Sequence, residues 1–473
     1  MDLRKIKKYI SPALSVLVLI LGIVTALVTP FDGLSRTGHI MLGSVATAIA
    51  FWIFRPGNGV FTIGAIVIML GGTIAGIPMP DLASGFAGAS LWMLITAMLL
   101  GYALLKTGLG KRIVYGLFKR VEMNYIKITA GWLVVGILFS LLTASITVRV
   151  VLLAPIALNV ADACRLPKHS KGRSLIVISA YGVSIFPGIA WLNGSLFGPV
   201  FTSYLPVGLM RDLATEQAWM RMLGLPWLLI SILFLVVLYF VLKPEEKLSV
   251  TKAQLSDMYS ELGPISRDEK ICAAAFALLL LGLAAQSVLT VTTNQVLFVA
   301  LGILIFCGVF SVKDISQGVS WDIIIFFGIL LSFSRIFEVS GITAWLSPIL
   351  SSLLFPIAKT PMMFVMALYG ICLLLRFLDI AQGWIIAAIL SLATPALYAD
   401  YGIHPLVCVM VFICAGNLFF VHYHQPWLGQ VEAISGDNGW DTRHLAKASV
   451  VYAVVAAAIL VFCRFYWQIL GVW

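Results

Sequence analysis

Between the basic flanks Lys127 and Arg165 lie 37 residues whose only charged side chains are Arg149 and Asp162. One membrane helix takes about 20 apolar residues, so the stretch is too long for a single crossing. Near its middle sits a polar knot, Thr143-Ala144-Ser145-Ile146-Thr147-Val148-Arg149. Basic residues crowd both ends: Lys111, Arg112, Lys119 and Arg120 before it, Lys168, Lys171 and Arg173 after it. Lys and Arg concentrate on the cytoplasmic side, and a single crossing would strand one cluster on the wrong side. The pattern predicts a re-entrant helical hairpin over 127–163 that enters and leaves from the cytoplasm. Non-helical backbone at membrane depth persists only inside protein or beside a water-filled cavity. The tip therefore predicts a cavity at mid-membrane, and such a cavity predicts transport.

Composition agrees. Of 473 residues, 61% are hydrophobic and 11% are charged, against roughly 25% charged in soluble domains. The expected fold class is an all-α polytopic membrane protein. The net charge of +10 reads as the basic bias of cytoplasmic loops, not as a nucleic-acid footprint. The seven cysteines show no Cys-x-x-Cys spacing, so no metal site, cofactor or disulfide framework is expected. Arg4, Lys5, Lys7 and Lys8 place the N-terminus in the cytoplasm.

Taken in order, the chain reads as an N-terminal unit over 1–242, a cytoplasmic linker over 243–270 and a C-terminal unit over 271–473. In the first unit the hairpin is followed by a broken helix over 174–205, interrupted at Phe186-Pro187-Gly188 and Asn193-Gly194, because proline removes a ladder hydrogen bond and glycine tolerates the resulting backbone. The second unit carries a long arm over 361–398, a broken helix over 406–427 and a final helix over 448–470. Its interruption is expected at Asn417 and at His422-Tyr423-His424-Gln425-Pro426. Aligning Ala180-Tyr181-Gly182 with Cys414-Ala415-Gly416 places the two breaks together. About 11 transmembrane helices plus two re-entrant hairpins result. The parity of crossings makes the units inverted repeats, with the second hairpin entering from outside and the C-terminus outside. Paired broken helices in inverted repeats point to a transport site near the midplane.

Intramembrane charges are costly, about 2.5–3.5 kcal/mol each on insertion scales, and mark functional positions. Arg149 reads as an anion contact or a partner for Asp379, against a snorkelling side chain at the hairpin edge. Arg376 and Asp379 share a helical face. They read as a self-neutralising pair, or as an anion contact beside a cation or proton site. Gln382 lies at the same tip. His422 and His424 offer donors to carboxylates or a proton relay, against solvated imidazoles in an interfacial loop. Asn193 and Asn417 could cap the breaks or bind an ion through their amide oxygens, against ordinary turn residues. His404, Asp400 and Asp162 fall at element ends and read as caps or surface residues.

The order hairpin, broken helix, linker, hairpin, broken helix, final helix resembles the divalent anion/sodium symporter (DASS) family of the ion transporter superfamily. The likeness is carried by Leu142 to Leu158, Ile178 to Val200, Trp321 to Gly341, Gly402 to Pro426 and Asp441 to Ala448. In that family each tip carries Ser-Asn-Thr, which binds sodium and the substrate carboxylates. Here the first tip keeps the hydroxyls Thr143, Ser145 and Thr147 without an Asn, and the second reads Asp379-Ile380-Ala381-Gln382. The resemblance implies an elevator motion, a homodimer, a small anionic substrate and residence in a bacterial inner membrane. By this reading the substrate-binding set is Thr143, Ser145, Thr147, Arg149, Asn193, Arg376, Asp379, Gln382, Asn417, His422 and His424. The coupling-ion set is Ser145, Asn193, Asp379 and Asn417, with the ion open between sodium and a proton.

The expected function is therefore secondary active transport of a di- or tricarboxylate, ion-coupled or by exchange. A membrane-embedded enzyme acting on a lipid phosphate would need clustered acids or a nucleophile with a base. No Asp-Asp-x-x-Asp, His-Glu-x-x-His or Gly-x-Ser-x-Gly occurs. An anion channel would need a repeated filter or a charged ring, and neither is present.

Overall fold

The computed structural model describes residues 16–17, 19–24, 28, 31–54, 61–119, 124–203, 215–246, 248, 257–377, 383–421 and 424–473. Asp379, Gln382 and His422, all expected at the site, lie outside the described residues.

Every regular element among the described residues is helical. The first set is α1 (Arg36–Phe54), α2 (Thr62–Ile74), α3 (Ala89–Thr107) and α4 (Leu109–Phe118). Next come α5 (Tyr125–Leu142), α6 (Ile146–Ala163), α7 (Lys171–Ile189), α8 (Phe197–Thr202) and α9 (Glu216–Leu242). After the linker follow α10 (Arg267–Ala284), α11 (Thr293–Phe306), α12 (Trp321–Val339) and α13 (Ile342–Ala358). The last set is α14 (Pro361–Leu375), α15 (Trp384–Ser391), α16 (Thr394–Tyr401), α17 (Pro405–Gly416), α18 (Pro426–Ser435) and α19 (Thr442–Ile469).

Six of these, α3, α5, α6, α7, α9 and α19, are long and apolar enough to cross a membrane. The pair α12 and α13, bent by 93° at its joint, makes a seventh if counted as one span. Among the described residues α2, α11, α14 and α17 are shorter apolar helices of 12–15 residues, or about 18–23 Å at 1.5 Å per residue, and the first expected span lies largely outside the described residues.

The halves are built alike. Helices of the second half begin 231 to 233 positions after their counterparts (36 and 267, 62 and 293, 89 and 321, 109 and 342). The joints agree as well: Gly108 and Gly341 both adopt left-handed backbone, with φ of +83° and +78°, where a side chain would be strained. Packing crosses between the halves, with α2 against α12 and α11 against α3. Asp322 at the start of α12 fixes the first contact. Its carboxylate accepts from the backbone N–H groups of Phe61 and Thr62 at 3.0 and 2.8 Å and from the Thr62 hydroxyl. This caps the open N-terminus of α2 from another helix.

Helix α7 lies at the centre and is buried along its whole length, with α5, α6 and α9 packed around it. Its one buried charge near the start, Arg173, is neutralised by Asp162 at 2.7 Å and also donates to the carbonyls of Leu166 and Asn438. Asp162 thus has a tertiary partner as well as a surface position. His404 caps α17, its Nδ1 accepting from Leu406 N–H at 3.2 Å.

The first interruption is not where proline placed it. Pro187 sits inside α7, and the helix runs on to Ile189; the break is 190–196. The register that pairs Ala180 with Cys414 also pairs the starts of α7 and α17, Lys171 and Pro405, but α17 is seven residues shorter, so Asn417 at its end falls opposite Val183 in mid-helix.

Candidate functional site

Helices α5 and α6 are joined by three residues, Thr143-Ala144-Ser145. Thr143 is fully committed to structure: its hydroxyl donates to Ala97 O at 3.1 Å and accepts from Ser145 N–H at 3.0 Å. Ser145 is the N-cap of α6, its Oγ accepting from Val148 N–H. Thr147, one turn on, accepts from the indole N–H of Trp427 at 3.2 Å, which ties α6 to α18 across the two halves.

Ser145 and Thr147 line a cavity of about 80 Å³. The beginnings of four helices border it: Ile146 of α6, Leu196 just before α8, Trp384 of α15 and Pro426 of α18. Helix N-termini carry the positive end of the helix dipole, a setting that favours anions. No Lys, Arg or His occurs among the described lining residues. Phe61, Met98, Ile323, Phe326 and Phe327 also line it, and Gln430 adds one amide.

The remaining expected site residues that are described are not among its lining residues. Arg149 is completely buried. Its Nη1 donates to Thr143 O at 3.1 Å and to Gly194 O at 2.6 Å, while Nε and Nη2 have no partner among the described residues. It neither snorkels nor lines the cavity. The guanidinium lies on Gly188, where an added Cβ would come within 2.5 Å of Nη2 and 2.3 Å of Gly194 O. Arg376 is buried likewise, and its Nη2 donates to the carbonyl of His424 in the second break. Each half thus sends one buried guanidinium to a backbone carbonyl of its own broken helix.

Asn193 and Asn417 divide. Asn417 caps α17 through its own amide, which donates to Ile413 O at 2.9 Å. Asn193 faces a second cavity with Trp191, Glu216 and Gln217. His424 is fully buried, its Nδ1 accepting from Phe420 N–H at 3.2 Å; the solvated-imidazole reading does not hold for it.

Gln425 falls in the expected second interruption; Glu216 and the aromatic wall escaped the sequence reading. Glu216, expected in an outer loop, accepts from the N–H groups of Leu192 and Asn193 at 2.9 and 2.8 Å and so fastens the first break. Gln425 donates to Asn417 O at 2.7 Å and accepts from the Tyr181 hydroxyl of α7, fastening the second. The aromatic wall had no signal at all, since Phe within an apolar run reads as core.

With that geometry in view, the comparisons with known proteins decide the class. A family profile described as the sodium:sulfate symporter transmembrane region matches residues 9–473. The chain belongs to this family. An uncharacterized transporter of Haemophilus influenzae is 25% identical over 393 residues, covering 79% of this chain and 80% of that one. Inner membrane protein YbhI of Escherichia coli is 23% identical over 331 residues, 67% of this chain and 68% of that one. The chloroplastic dicarboxylate transporter 1 of Spinacia oleracea is 22% identical over 337 residues, 69% of this chain and 58% of that one. As a member of the sodium:sulfate symporter family the protein is a multi-pass integral membrane anion transporter and not an enzyme.

Proposed function

We propose that this transporter exchanges small carboxylates across the membrane without sodium. The observation that carries the reading is the meeting of four helix starts at one cavity, a positive field with room for carboxylate oxygens. A dicarboxylate transporter among the distant relatives supports the substrate class. Two or three anionic charges face no cationic side chain among the described residues, which favours dicarboxylates over tricarboxylates.

Exchange is favoured by the two arginines. Carbonyl oxygens beside a tip and a helix break suit a bound cation. Here Arg149 brings a tethered positive charge to Thr143 O and Gly194 O, and Arg376 brings one to His424 O. A charge fixed to the protein needs no ion to be loaded before the substrate. Transport through an elevator motion follows from treating the two halves as inverted repeats, with α5–α7 and α14–α17 moving together against α2, α3, α11 and α12; α5 and α6 form the re-entrant hairpin. A homodimer and an N-terminus in the cytoplasm of a bacterial inner membrane belong to the same proposal.

Thermal shift tests the ligand class. Purified protein screened with succinate, citrate, sulfate and phosphate gains stability from any ligand that binds only the folded state. Stabilisation by succinate at equal strength in sodium and in choline buffers is the expected result. Stabilisation only in sodium would overturn the sodium-free reading, and none by any anion would overturn the carboxylate reading.

A further inference from the structure

We propose that the second cavity, at the first break, binds an organic cation: an ammonium group carried on an apolar body. The inference stands apart from the carboxylate reading above. This cavity measures about 460 Å³, against about 80 Å³ at the tip, and falls in the range of small-molecule pockets, about 300–1,000 Å³. It is bordered by the end of α5, the break, the start of α9 and the last turn of α10. Glu216 is the one charged side chain among the described lining residues. Its two oxygens each accept one backbone N–H, from Asn193 at 2.8 Å and from Leu192 at 2.9 Å. A carboxylate has about four acceptor positions, so these bonds do not fill it. Among the described residues no Lys, Arg or His lines the cavity, and none forms an ion pair with Glu216.

Glu216 opens α9, one of the helices long and apolar enough to cross a membrane. A charge in such a helix is costly and marks a ligand or ion path. The N–H groups of the break need only an acceptor, which a neutral oxygen supplies, so the net charge is left for a ligand to match. Most of the remaining lining is apolar, with Leu141 of α5, Met220 of α9, Leu280 and Leu283 of α10, and Trp191 of the break. The Trp191 indole is oriented by its N–H bond to Ser140 Oγ at 2.8 Å, and a ring face attracts a cation within about 6 Å. Met220 is 41% exposed and Ala284 is exposed at the rim, which leaves a way in. A hard metal cation takes about six oxygen ligands or more and leaves the apolar side chains unused. An apolar neutral molecule leaves the carboxylate unmatched, and an anion meets it as a like charge. An ammonium ion with an apolar body uses both parts of the lining.

The test is calorimetric titration of the purified full-length protein with benzylamine, benzyl alcohol and phenylacetate. At neutral pH these share a ring and carry a positive charge, none and a negative charge. Benzylamine is expected to bind at least about tenfold more tightly than either, the scale of a hydrogen bond to a charged group. Two variants locate it. Leu283→Trp fills the cavity from α10, and Glu216→Gln removes the charge while keeping an amide oxygen for the break. Each is expected to weaken benzylamine binding at least about tenfold, and because they act from different helices, a folding defect in one leaves the other to decide. Benzyl alcohol or phenylacetate binding as tightly as benzylamine overturns the inference, as does a folded variant that binds benzylamine like the wild type, or no benzylamine binding at all. Displacement of benzylamine by succinate would put the amine at the tip and overturn the site. Succinate titrated alone into the same protein reports on the carboxylate reading separately.

Discussion

Arg149 Nη1 donates at 2.6 Å to the carbonyl oxygen of Gly194. The two residues belong to different structural units, the first turn of α6 and the break after α7. The same nitrogen also holds Thr143 O, so one guanidinium clamps tip and break together. A buried charge is expensive unless its hydrogen bonds are made. Here the carbonyls gain a charge-assisted donor and the tip gains a fixed position.

Removing the clamp has a specific consequence. Arg149→Ala leaves two carbonyls facing a vacated space, and transport is expected to fall at least about tenfold, the scale of a lost charge-assisted bond. If the guanidinium stands in for an ion, millimolar guanidinium or sodium restores part of the uptake in this variant and does nothing for the wild type. A variant that is equally inactive with and without added cation contradicts the tethered-charge role.

Gly188 is required for a steric reason. A Cβ there would lie 2.3 Å from Gly194 O and 2.5 Å from Arg149 Nη2; both neighbours are buried and one is backbone. Gly188→Ala is expected to abolish transport and to lower the unfolding temperature. Gly370→Ala, at a position with open space around it, serves as the control and is expected to behave as wild type in the same assays.

The second break depends on Gln425. Its amide joins Tyr181 of α7 to Asn417 O at the end of α17. Gln425→Leu leaves these groups buried and unpaired, which costs about 1–3 kcal/mol for each. Thermal unfolding of the variant in detergent measures the loss, and Tyr181→Phe combined with it is expected to be non-additive, because the two share one bond.

An ion pair at the edge of α3 gives a pH prediction. The Asp314 carboxylate accepts from Lys106 Nζ at 2.6 Å and from Ser311, and the Lys106 hydrogen bond followed by those of Ser311 holds its carboxyl well below the usual carboxylate range. A depressed folded-state value means the stabilisation is complete above the unfolded value of about 4 and is lost only as pH falls below it. The wild-type unfolding temperature is therefore expected to owe no change to this pair between pH 8 and 5. Asp314→Asn should lower it equally at both ends of that range, and a difference growing with pH would contradict the assignment.

Much of this was readable from the sequence. The first tip follows from charge placement and from the polar knot Thr143 to Arg149. The site was harder. Pro187 signals a break, yet its ring is accommodated within α7 because the helix is enclosed by packed neighbours, and the chain turns only at Ala190. Glu216 holds a loop 23 and 24 positions earlier, a pairing that no local pattern encodes. Arg149 was visible as a costly charge, but its partners are backbone carbonyls, and a carbonyl has no sequence signature. The cavity wall of Phe61, Phe326 and Phe327 is assembled from elements more than 260 positions apart, so its rings looked like ordinary core.

The most direct measurement is counterflow with sodium removed. Proteoliposomes loaded with unlabelled succinate would be diluted into labelled succinate, with choline or sodium as the only cation outside and inside. The account predicts rapid uptake in the loaded vesicles at the same rate in both salts, and none in empty vesicles. Uptake that requires an inward sodium gradient and proceeds into empty vesicles would contradict it, and would return Thr143 O and Gly194 O to the role of ion ligands.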